Sequence, residues 1–399
     1  MIKEENLPEG WDLKPLSEVC NLNPRKSEVK ELPDDENVTF LSMESVGEDG
    51  VIYSSEIKTL GEVFKGYTYF KKNDVLFAKI TPCMENGKGA IANIDTEIGF
   101  GSTEFHVLRP RPEILPEWIY LFLASKSIRK LAEMKMTGSA GQKRVPKSFF
   151  DKTKIPVPPL KTQQKIVEIL EKAEKLRKWR TEADVRTDEY LKSVFLEMFG
   201  DPLVNSKNWM TRNISDMCKT TSGGTPSRSK KEYYGGEIPW VKSGELNNGI
   251  IYDTEEKITE LGMKNSSAKL LNPNTVLIAM YGATVGKTAL LKIDATTNQA
   301  VCAIQPNKNY LNNIYLLNCL KLLSDYLVSQ SIGGGQPNIS QQIIKRTKIP
   351  IPPLELQNQF AETVKKVEQL KHHQKQSKQE IDNLFNTLMQ KAFKGELTC

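Results

Sequence analysis

The chain has 399 residues, a length that predicts two to three domains rather than one. A hydrophobic content of 39% and a charged content of 26% exclude an intrinsically disordered protein, and no apolar run approaches the ~20 residues of a transmembrane helix. The formal net charge of +6 is mildly basic, which permits a nucleic-acid partner without requiring one.

The six cysteines stand far apart and form no Cys-x-x-Cys pair, which favours reduced thiols over a disulfide framework or a zinc site. With only three histidines, the chain has little material for a metal site or for histidine-based catalysis. The first six residues have no signal-peptide character. We therefore expect a cytoplasmic protein without a metal of its own.

The first half of the chain predicts a mixed region followed by a long helix. Val75–Ala78 is a short apolar run suited to a buried strand, and 117–134 has helical apolar spacing. A hinge, KIPVPPL at 154–160, follows. Residues 161–199 contain no Gly or Pro and are rich in helix formers, which predicts one helix of roughly 55–60 Å at ~1.5 Å per residue.

The second half predicts the same order of elements. An apolar run at 275–280 is suited to a strand, and 312–327 has helical spacing. The hinge KIPIPPL at 348–354 differs from the first hinge at one position, at an offset of 194 residues. Residues 355–394 again lack Gly and Pro, and Gly395 follows them.

These matches keep their order along the chain with only a small drift in offset, which indicates an ancient internal duplication. Gln163 matches Gln357 at the hinge offset, and DVLFA at 74–78 matches TVLIA at 275–279 at an offset of 201. We predict a mixed α/β (α+β) fold with domains at 1–155 and 201–350. Each is followed by a hinge and long spacer helix, at 156–200 and 351–399.

Apolar residues recur at a three–four spacing at both ends of each long helix, while the middle of each stripe is polar. This pattern predicts that the two helices pair with each other, and a pseudo-twofold relation between the repeats would make the pair antiparallel. The alternative is two independent surface helices, each lying on its own domain. The predicted pairing residues are Ile166, Leu170, Ala173, Leu191, Val194, Met198, Phe360, Val364, Val367, Ile381, Phe385 and Leu388.

Several motifs resemble catalytic or metal-binding motifs but lack the residues or the spacing that such motifs need. The segment GATVGKT at 282–288 has three residues between its glycines, whereas a phosphate-binding loop needs four. A turn that carries Lys287 toward a polyanion, or a plain hairpin turn, remains open. Asp74 and Glu104 could bind a metal, but their repeat partners are Thr275 and Gln299, so no duplicated carboxylate site exists. We predict no catalytic residues and no metal site.

The loops instead carry hydroxyls, amides and cations in both halves, which are the groups that contact DNA phosphates and base edges. Taken singly, each of these residues is more often a solvated surface group. The predicted DNA-binding residues are Lys79, Thr81, Lys88, Gln142, Lys143, Arg144, Thr225, Ser227, Arg228, Lys230, Lys231, Lys242, Lys287, Gln336 and Asn338.

The duplicated unit, the two long helices and the hinges resemble the specificity (S) subunit of Type I restriction–modification enzymes. SGGTPS at 222–227 followed by YYGGEIPW at 233–240 resembles one common type of target recognition domain, and AFKGEL at 392–397 resembles the family's C-terminal signature. The first half departs from this pattern, because CNLNPRK at 20–26 replaces the glycine-rich loop.

The resemblance implies two target recognition domains that each read one half of a bipartite, asymmetric site on double-stranded DNA. It implies that the paired helices set the spacing between the half-sites and dock two methyltransferase (M) subunits that methylate adenine. S-adenosylmethionine, ATP and Mg would belong to the partner subunits, including two restriction (R) subunits where these are present, and this chain would hold no cofactor and would not be an enzyme.

Three other hypotheses remain open at this point. The chain could serve a related system in which methylation and cleavage lie on one partner chain. It could be an NTPase or nuclease that uses 282–288, or a duplicated adaptor that binds proteins rather than DNA. ATP turnover abolished by Lys287→Ala would favour the second hypothesis, and salt-insensitive protein binding without DNA affinity would favour the third.

Overall fold

The computed structural model describes residues 7–139, 141–247, 249–331 and 338–397. The chain divides into two compact units. The first comprises residues 1–180 and 377–399, and the second comprises residues 181–376. Each unit therefore contains a mixed α/β region together with part of each long helix. The domain boundaries expected from the sequence stay a prediction.

The first unit begins with short strands and helices and leads into the first long helix. A short 3-10 helix lies at Lys26–Val29. The elements in chain order are β1 (Asp12–Pro15), α1 (Leu16–Val19), β2 (Cys20–Leu22), β3 (Asn37–Leu41), β4 (Glu56–Thr59), α2 (Leu60–Val63), β5 (Thr68–Lys71), β6 (Val75–Ala78), β7 (Gly89–Ile91), β8 (Ile98–Gly101), β9 (Phe105–Pro110), α3 (Pro116–Ala124), α4 (Lys126–Glu133), α5 (Lys147–Lys152), β10 (Lys154–Val157) and α6 (Leu160–Phe199).

The second unit follows the same order of elements and leads into the second long helix. Short 3-10 helices lie at Lys231–Tyr233 and Ser243–Glu245. The elements are β11 (Thr211–Asn213), α7 (Ile214–Met217), β12 (Cys218–Ser222), β13 (Tyr234–Val241), β14 (Ile250–Ile251), β15 (Glu256–Ile258), α8 (Glu260–Lys264), β16 (Val276–Ala279), β17 (Thr288–Leu291), β18 (Thr296–Thr297), β19 (Val301–Pro306), α9 (Asn313–Leu322), α10 (Ser324–Ser329), α11 (Gln341–Arg346), β20 (Lys348–Pro350) and α12 (Leu354–Lys394).

The sheets of the two units share a common set of strands, although β5 of the first unit has no counterpart in the three-stranded sheet of the second. The order β2-β9-β6-β7 in the first unit corresponds to β12-β19-β16-β17 in the second, where β14 adds a parallel edge strand. Strands β3 and β8 pair in parallel beside β4, and β13 and β18 pair in parallel beside β15. The structure therefore confirms both the mixed α/β class and the internal duplication.

The hinge motif is explained by one buried glutamine in each unit. Gln163 accepts a hydrogen bond from the main chain of Leu115 and donates to the carbonyls of Glu113 and Pro158. Gln357 makes the same three kinds of bond, to the main chain of Asn312, Tyr310 and Pro352. Each glutamine satisfies polar backbone groups where a long helix begins, which a buried hinge requires.

The long helices begin and end where the sequence predicts, between Pro159 and Gly200 and between Pro353 and Gly395. Within each unit the two helices run antiparallel, because residues later in α6 meet residues earlier in α12. In the first unit Leu170 shares a core with Met389 while Arg177 pairs with Asp382. In the second unit Asp188 pairs with Lys371 while Phe195 contacts Phe360. Ile166 and Leu170 are buried in the first-unit core, against which Phe385 and Leu388 pack. Ala173 is buried and Ile381 is half-buried. In the second-unit core, Leu191, Phe360, Val364 and Val367 are buried and Val194 and Met198 are partly buried.

The polar middle of the helical pair is internally paired. In the first unit Arg177 donates to Asp382 at 2.8 Å, and its guanidinium lies over Phe385. In the second unit the Gln374 amide donates to the hydroxyl of Thr187 at 3.0 Å. Paired polar groups inside a helical seam favour one register over its neighbours, because a slip would leave them buried without partners.

Both stretches with helical apolar spacing are helical, and each forms two helices. The pattern over 117–134 forms two helices, α3 and α4, because Ser125 has extended backbone and its hydroxyl caps α3 by donating to the Phe122 carbonyl. The pattern over 312–327 likewise breaks near Leu323 into α9 and α10. Apolar spacing continues across both breaks because the paired helices bury their apolar residues in one core.

Candidate nucleic-acid interface

A polar loop surface in the first unit is built from two chain segments. The loop 79–88 joins β6 to β7, and the segment 142–145 pairs with its base. The main chain of Thr81 donates to the Lys143 carbonyl at 3.0 Å, and Val145 donates to the Lys79 carbonyl at 2.9 Å. The structure therefore brings Lys79, Thr81, Lys143 and their neighbours together from positions about 60 residues apart in the sequence.

Several of these side chains are already engaged within the unit. The Arg144 guanidinium pairs with the Glu104 carboxylate, with Nη2–Oε1 at 2.8 Å. The hydrogen bond from Arg144 holds the pKa of Glu104 below its usual value, outweighing the effect of burial. Thr81 donates to Glu85, and the Lys88 ammonium donates to the Met43 carbonyl at 3.0 Å. Arg144 and Lys88 thus help to hold the loops, while Gln142 and Lys143 are exposed.

The second unit repeats this pairing. The loop 280–287 joins β16 to β17, its residue Tyr281 forms a bridge with Asn338, and the Ile339 main chain donates to the Met280 carbonyl at 2.7 Å. Lys287 is exposed at the end of the loop. Gln336 lies outside the described residues. Because antiparallel strands flank the loop, it lacks the strand-to-helix setting of a phosphate-binding loop, which agrees with its wrong spacing.

The glycine-rich loop of the second unit, residues 222–227, is anchored by two aromatic side chains. The Trp240 indole donates to the Gly224 carbonyl at 3.0 Å, and the Tyr234 hydroxyl donates to the Pro226 carbonyl at 2.5 Å. Neither glycine of the loop has room for a side chain. A Cβ on Gly223 would collide with Thr297, and one on Gly224 would lie less than 3.0 Å from the backbone of its neighbours. The loop is therefore a packed structure.

We expect Gly224→Ala to lower the free energy of unfolding of the second unit by about 1–3 kcal/mol, because the new methyl group overpacks the loop. The crowded neighbours are the main-chain atoms of Ser267 and Ala268. Denaturant unfolding measures the change. Gly244→Ala is the matched control, since a Cβ there meets nothing within 4 Å. Equal losses in the two variants would contradict the prediction.

The glycine-rich loop of the second unit forms one surface with the hairpin loop, which comprises residues 280–287. Thr225 donates to the side chain of Gln299, which also hydrogen-bonds Tyr281 of the hairpin loop. In the first unit Arg144 and Glu104 form an ion pair at the loop junction. Gln299 is not the structural counterpart of Glu104, because the Lys79 main chain donates to the Glu104 carbonyl whereas that of Met280, at the same place in the second sheet, donates to the Ala300 carbonyl. The two units therefore close their loop junctions with different residues, one with an ion pair and the other with neutral hydrogen bonds.

The cations that follow the glycine-rich loop differ in their surroundings. Arg228 pairs with Glu256 at 2.6 Å, and Lys242 pairs with Glu255 at 2.8 Å. The hydrogen bond from Arg228 lowers the pKa of Glu256, against a smaller opposing effect of burial. Ser227 hydrogen-bonds Ser229, and Lys230 lies 3.8 Å from Glu232. Within the described part of the chain, no carboxylate forms an ion pair with Lys143, Lys231 or Lys287.

Sequence reasoning missed the acidic and neutral partners at this surface. Glu256 carried no signal in the sequence, because its role depends on a strand register that places it opposite Trp240. Glu104 was considered only as a metal ligand and rejected, and Gln299 was named only as its expected repeat partner. That repeat match is wrong by one residue, since the strand register aligns Phe105 with Val301 and therefore Glu104 with Ala300.

Metal binding and thiol reactivity would depend on the His, Cys, Asp and Glu side chains of the described residues. Among them, no group of three or more His, Cys, Asp or Glu side chains could hold a metal ion. The five cysteines that are described are free, and burial raises the pKa of Cys20, Cys218 and Cys302 to about 12, which makes poor nucleophiles of them. No helix in the same residues combines the length and apolarity needed to cross a membrane.

Fold and site together define a duplicated mixed α/β protein that presents an equivalent polar loop surface in each unit. The family model described as the Type I restriction modification DNA specificity domain matches residues 8–183 and again residues 206–383. The chain belongs to this family. The resemblance drawn from the sequence motifs is confirmed.

Individual relatives match to different extents. The Type I restriction enzyme EcoEI specificity subunit of Escherichia coli is 44% identical over 169 residues, which are 41% of this chain and 28% of that protein. The putative MjaX specificity subunit of Methanocaldococcus jannaschii is 21% identical over 430 residues, covering 99% of this chain and 97% of that protein. The chain therefore spans less than a third of the EcoEI subunit in their match.

A solved chain from a study of complex assembly and conformational transition in a type I R-M system has the same fold. Its TM-score is 0.69 at 24% identity, with 98% of this chain and 99% of that chain covered. At this identity, the likeness is evidence for the fold alone.

Proposed function

We propose that this chain is the DNA sequence-recognition subunit of a Type I restriction–modification complex, in which each unit reads one half of a bipartite, asymmetric site. The observation that carries the proposal is the repeated loop junction. Lys79–Val145 pairing in the first unit and Met280–Ile339 pairing in the second build equivalent polar surfaces on equivalent sheets. Two related surfaces in one chain suit two different half-sites on one duplex.

The side chains at these surfaces suggest two kinds of DNA contact, one to phosphates and one to base edges. Lys143 and Lys287 are exposed and form no ion pair with any described residue, so they are suited to phosphate contacts, which position a protein on DNA. Hydroxyls and amides in the loops, including Thr225, Gln142 and Asn338, are suited to base edges. Arg144, held by Glu104, is instead suited to shaping its loop.

In this proposal the two long helices set the spacing of the half-sites and dock two methyltransferase subunits that methylate adenine. Restriction subunits join where the system includes them. The chain itself would be non-catalytic and cytoplasmic, with S-adenosylmethionine, ATP and Mg held by the partner subunits. The composition of the purified complex distinguishes this arrangement from one in which methylation and cleavage lie on a single partner chain.

Long-read sequencing of host DNA, with the gene intact and deleted, tests the proposal. We expect deletion to abolish one bipartite adenine-methylated motif. Exchange of residues 209–349 for the corresponding part of another family member should then change one half of the motif and leave the other half intact, because each half is read by a separate unit.

An unchanged methylation pattern has two explanations, and purification separates them. A chain that co-purifies with a methyltransferase and restores methylation when both are expressed from an inducible promoter belongs to a system that is silent in the host. A chain that co-purifies with no methyltransferase, and whose expression adds no methylated motif, would contradict the proposal.

A further inference from the structure

Arg228 occupies an unusually well-defined position for an exposed arginine. It follows the turn that Trp240 and Tyr234 anchor, and its guanidinium lies over both rings, 4.4 Å from the Tyr234 centroid and 5.2 Å from that of Trp240. Its side chain is nevertheless 55% exposed. A guanidinium plane held against aromatic rings loses little further freedom when it binds a ligand.

The hydrogen-bond donors of Arg228 are only partly used. Nη1 donates to Oε1 of Glu256 at 2.6 Å and Nη2 donates to Oε2 at 3.0 Å, so the pair meets end-on. A guanidinium has five N–H groups in one plane. End-on pairing takes one from each terminal nitrogen and leaves the edge formed by Nε–H and a second terminal N–H. Within the described residues, no acceptor bonds to Nε.

The carboxylate that holds Arg228 is itself fixed in place. Glu256 lies on β15, where the strand register sets it opposite Trp240. The ammonium of Lys242 lies 3.5 Å from the same carboxylate and pairs with Glu255 as well. Glu256 thus acts as a fixed support for the guanidinium, so the direction of its remaining donor edge is set before any ligand arrives.

Arg144 of the first unit provides the contrast. Its Nε and Nη2 both donate to Glu104, at 2.9 Å and 2.8 Å, and its Nη1 donates to the Gln142 carbonyl at 3.1 Å. The two-donor edge that stays available on Arg228 is therefore already occupied on Arg144. Both are loop arginines predicted from the sequence to bind DNA. The donors of Arg144 hold its own loop, whereas Arg228 keeps two donors for a ligand.

We propose that Arg228 reads a guanine in the half-site of the second unit, with Glu256 as the positioning residue that holds it. Guanine presents O6 and N7 as neighbouring acceptors in the major groove, which match two N–H donors in one plane. A phosphate contact would need neither the planar edge nor the aromatic support. This inference rests on the proposed function and makes it specific at one residue and one base.

Selection from a random double-stranded DNA library by the purified complex tests the inference. The wild-type complex is expected to select a bipartite motif with a G·C pair in the half that changes when residues 209–349 are exchanged. Arg228→Lys keeps the charge but loses the two-donor edge. We expect it to leave that one position degenerate and to weaken binding to the wild-type site by ~10-fold or more.

The matched control is Arg212→Lys, the same change at an exposed arginine on β11, which is expected to leave the motif unaltered. Glu256→Gln should keep the motif but weaken discrimination at the same guanine, because the guanidinium loses its charged support. Arg228→Gln is measured beside Arg228→Lys, and thermal unfolding of each confirms that the second unit is folded, so that a folding defect in one variant does not decide the result.

The outcomes separate this inference from the proposed function. If the wild-type complex selects no motif, both are wrong. If it selects a motif that both folded Arg228 variants retain in full, or if they weaken binding to all sequences equally without relaxing any base, the guanine assignment is wrong and the recognition role stands. A DNA substitution at the guanine that costs the wild type ~10-fold but costs Arg228→Lys nothing would establish the contact.

Discussion

Asp74→Asn is expected to destabilise the first unit by about 3 kcal/mol, because it breaks a buried ion pair and leaves the charge of Arg109 poorly compensated. The Asp74 side chain is only 2% exposed. It accepts hydrogen bonds from Nε and Nη2 of Arg109, each at 2.9 Å, and from the main chain of Lys71 at 2.7 Å. Asparagine keeps the shape but loses the charge and one acceptor.

The duplication supplies a test of this reasoning. The positions of Asp74 and Arg109 correspond to Thr275 and Gln305 in the second unit, whose side chains approach within 3.4 Å as a neutral pair. The double variant Asp74→Thr/Arg109→Gln therefore installs a pair that the same sheet already accommodates. We expect it to be more stable than Asp74→Asn, since it removes the buried charge together with its partner.

Denaturant unfolding of the single and double variants measures both effects. Glu28→Gln serves as the control, because Glu28 pairs with the same arginine at 2.7 Å but is 34% exposed. An exposed pair of this kind contributes about 1 kcal/mol or less. A loss for Asp74→Asn no larger than that of Glu28→Gln would show that the buried pair contributes little.

Phe360→Ala is expected to lower the stability of the second unit by about 3–5 kcal/mol, because it opens a cavity where α6, α9 and α12 meet. Phe360 is fully buried, and its ring lies edge-on to those of Phe195 and Phe199, at 5.4 Å in each case. Phe195 stacks on Tyr315 of α9 in turn, with an interplanar angle of 13°. Rigid aromatic neighbours cannot collapse easily into the space left behind.

Hydrogen exchange measured by mass spectrometry is the appropriate readout, because a chain with two units need not unfold in a single step. Peptides from 181–376 should lose protection, and peptides confined to 7–139 should change little. Leu370→Ala on the same helix is the control, since Leu370 is 50% exposed. Equal loss of protection in both variants would contradict the role assigned to the aromatic cluster.

The loop surfaces show why the binding residues were harder to predict than the elements that carry them. The sequence indicated cations in both sets of loops, and the structure places most of them there. It could not indicate that Arg144 is bound to Glu104, forty residues away, or that Arg228 is bound to Glu256. These pairings depend on how strands lie beside one another, so they change the expected role of a residue without any local signal.

The repeat, the long helices and the hinges could be predicted from the order of amino acids, because each of these depends on neighbouring residues. A run without Gly or Pro between Pro and Gly boundaries forms a helix largely through local backbone preference. The folded chain was needed to establish where α3 and α9 end, which polar groups pair, and which cations remain exposed. Those outcomes follow from contacts between residues distant in the chain, where burial determines which pairs form.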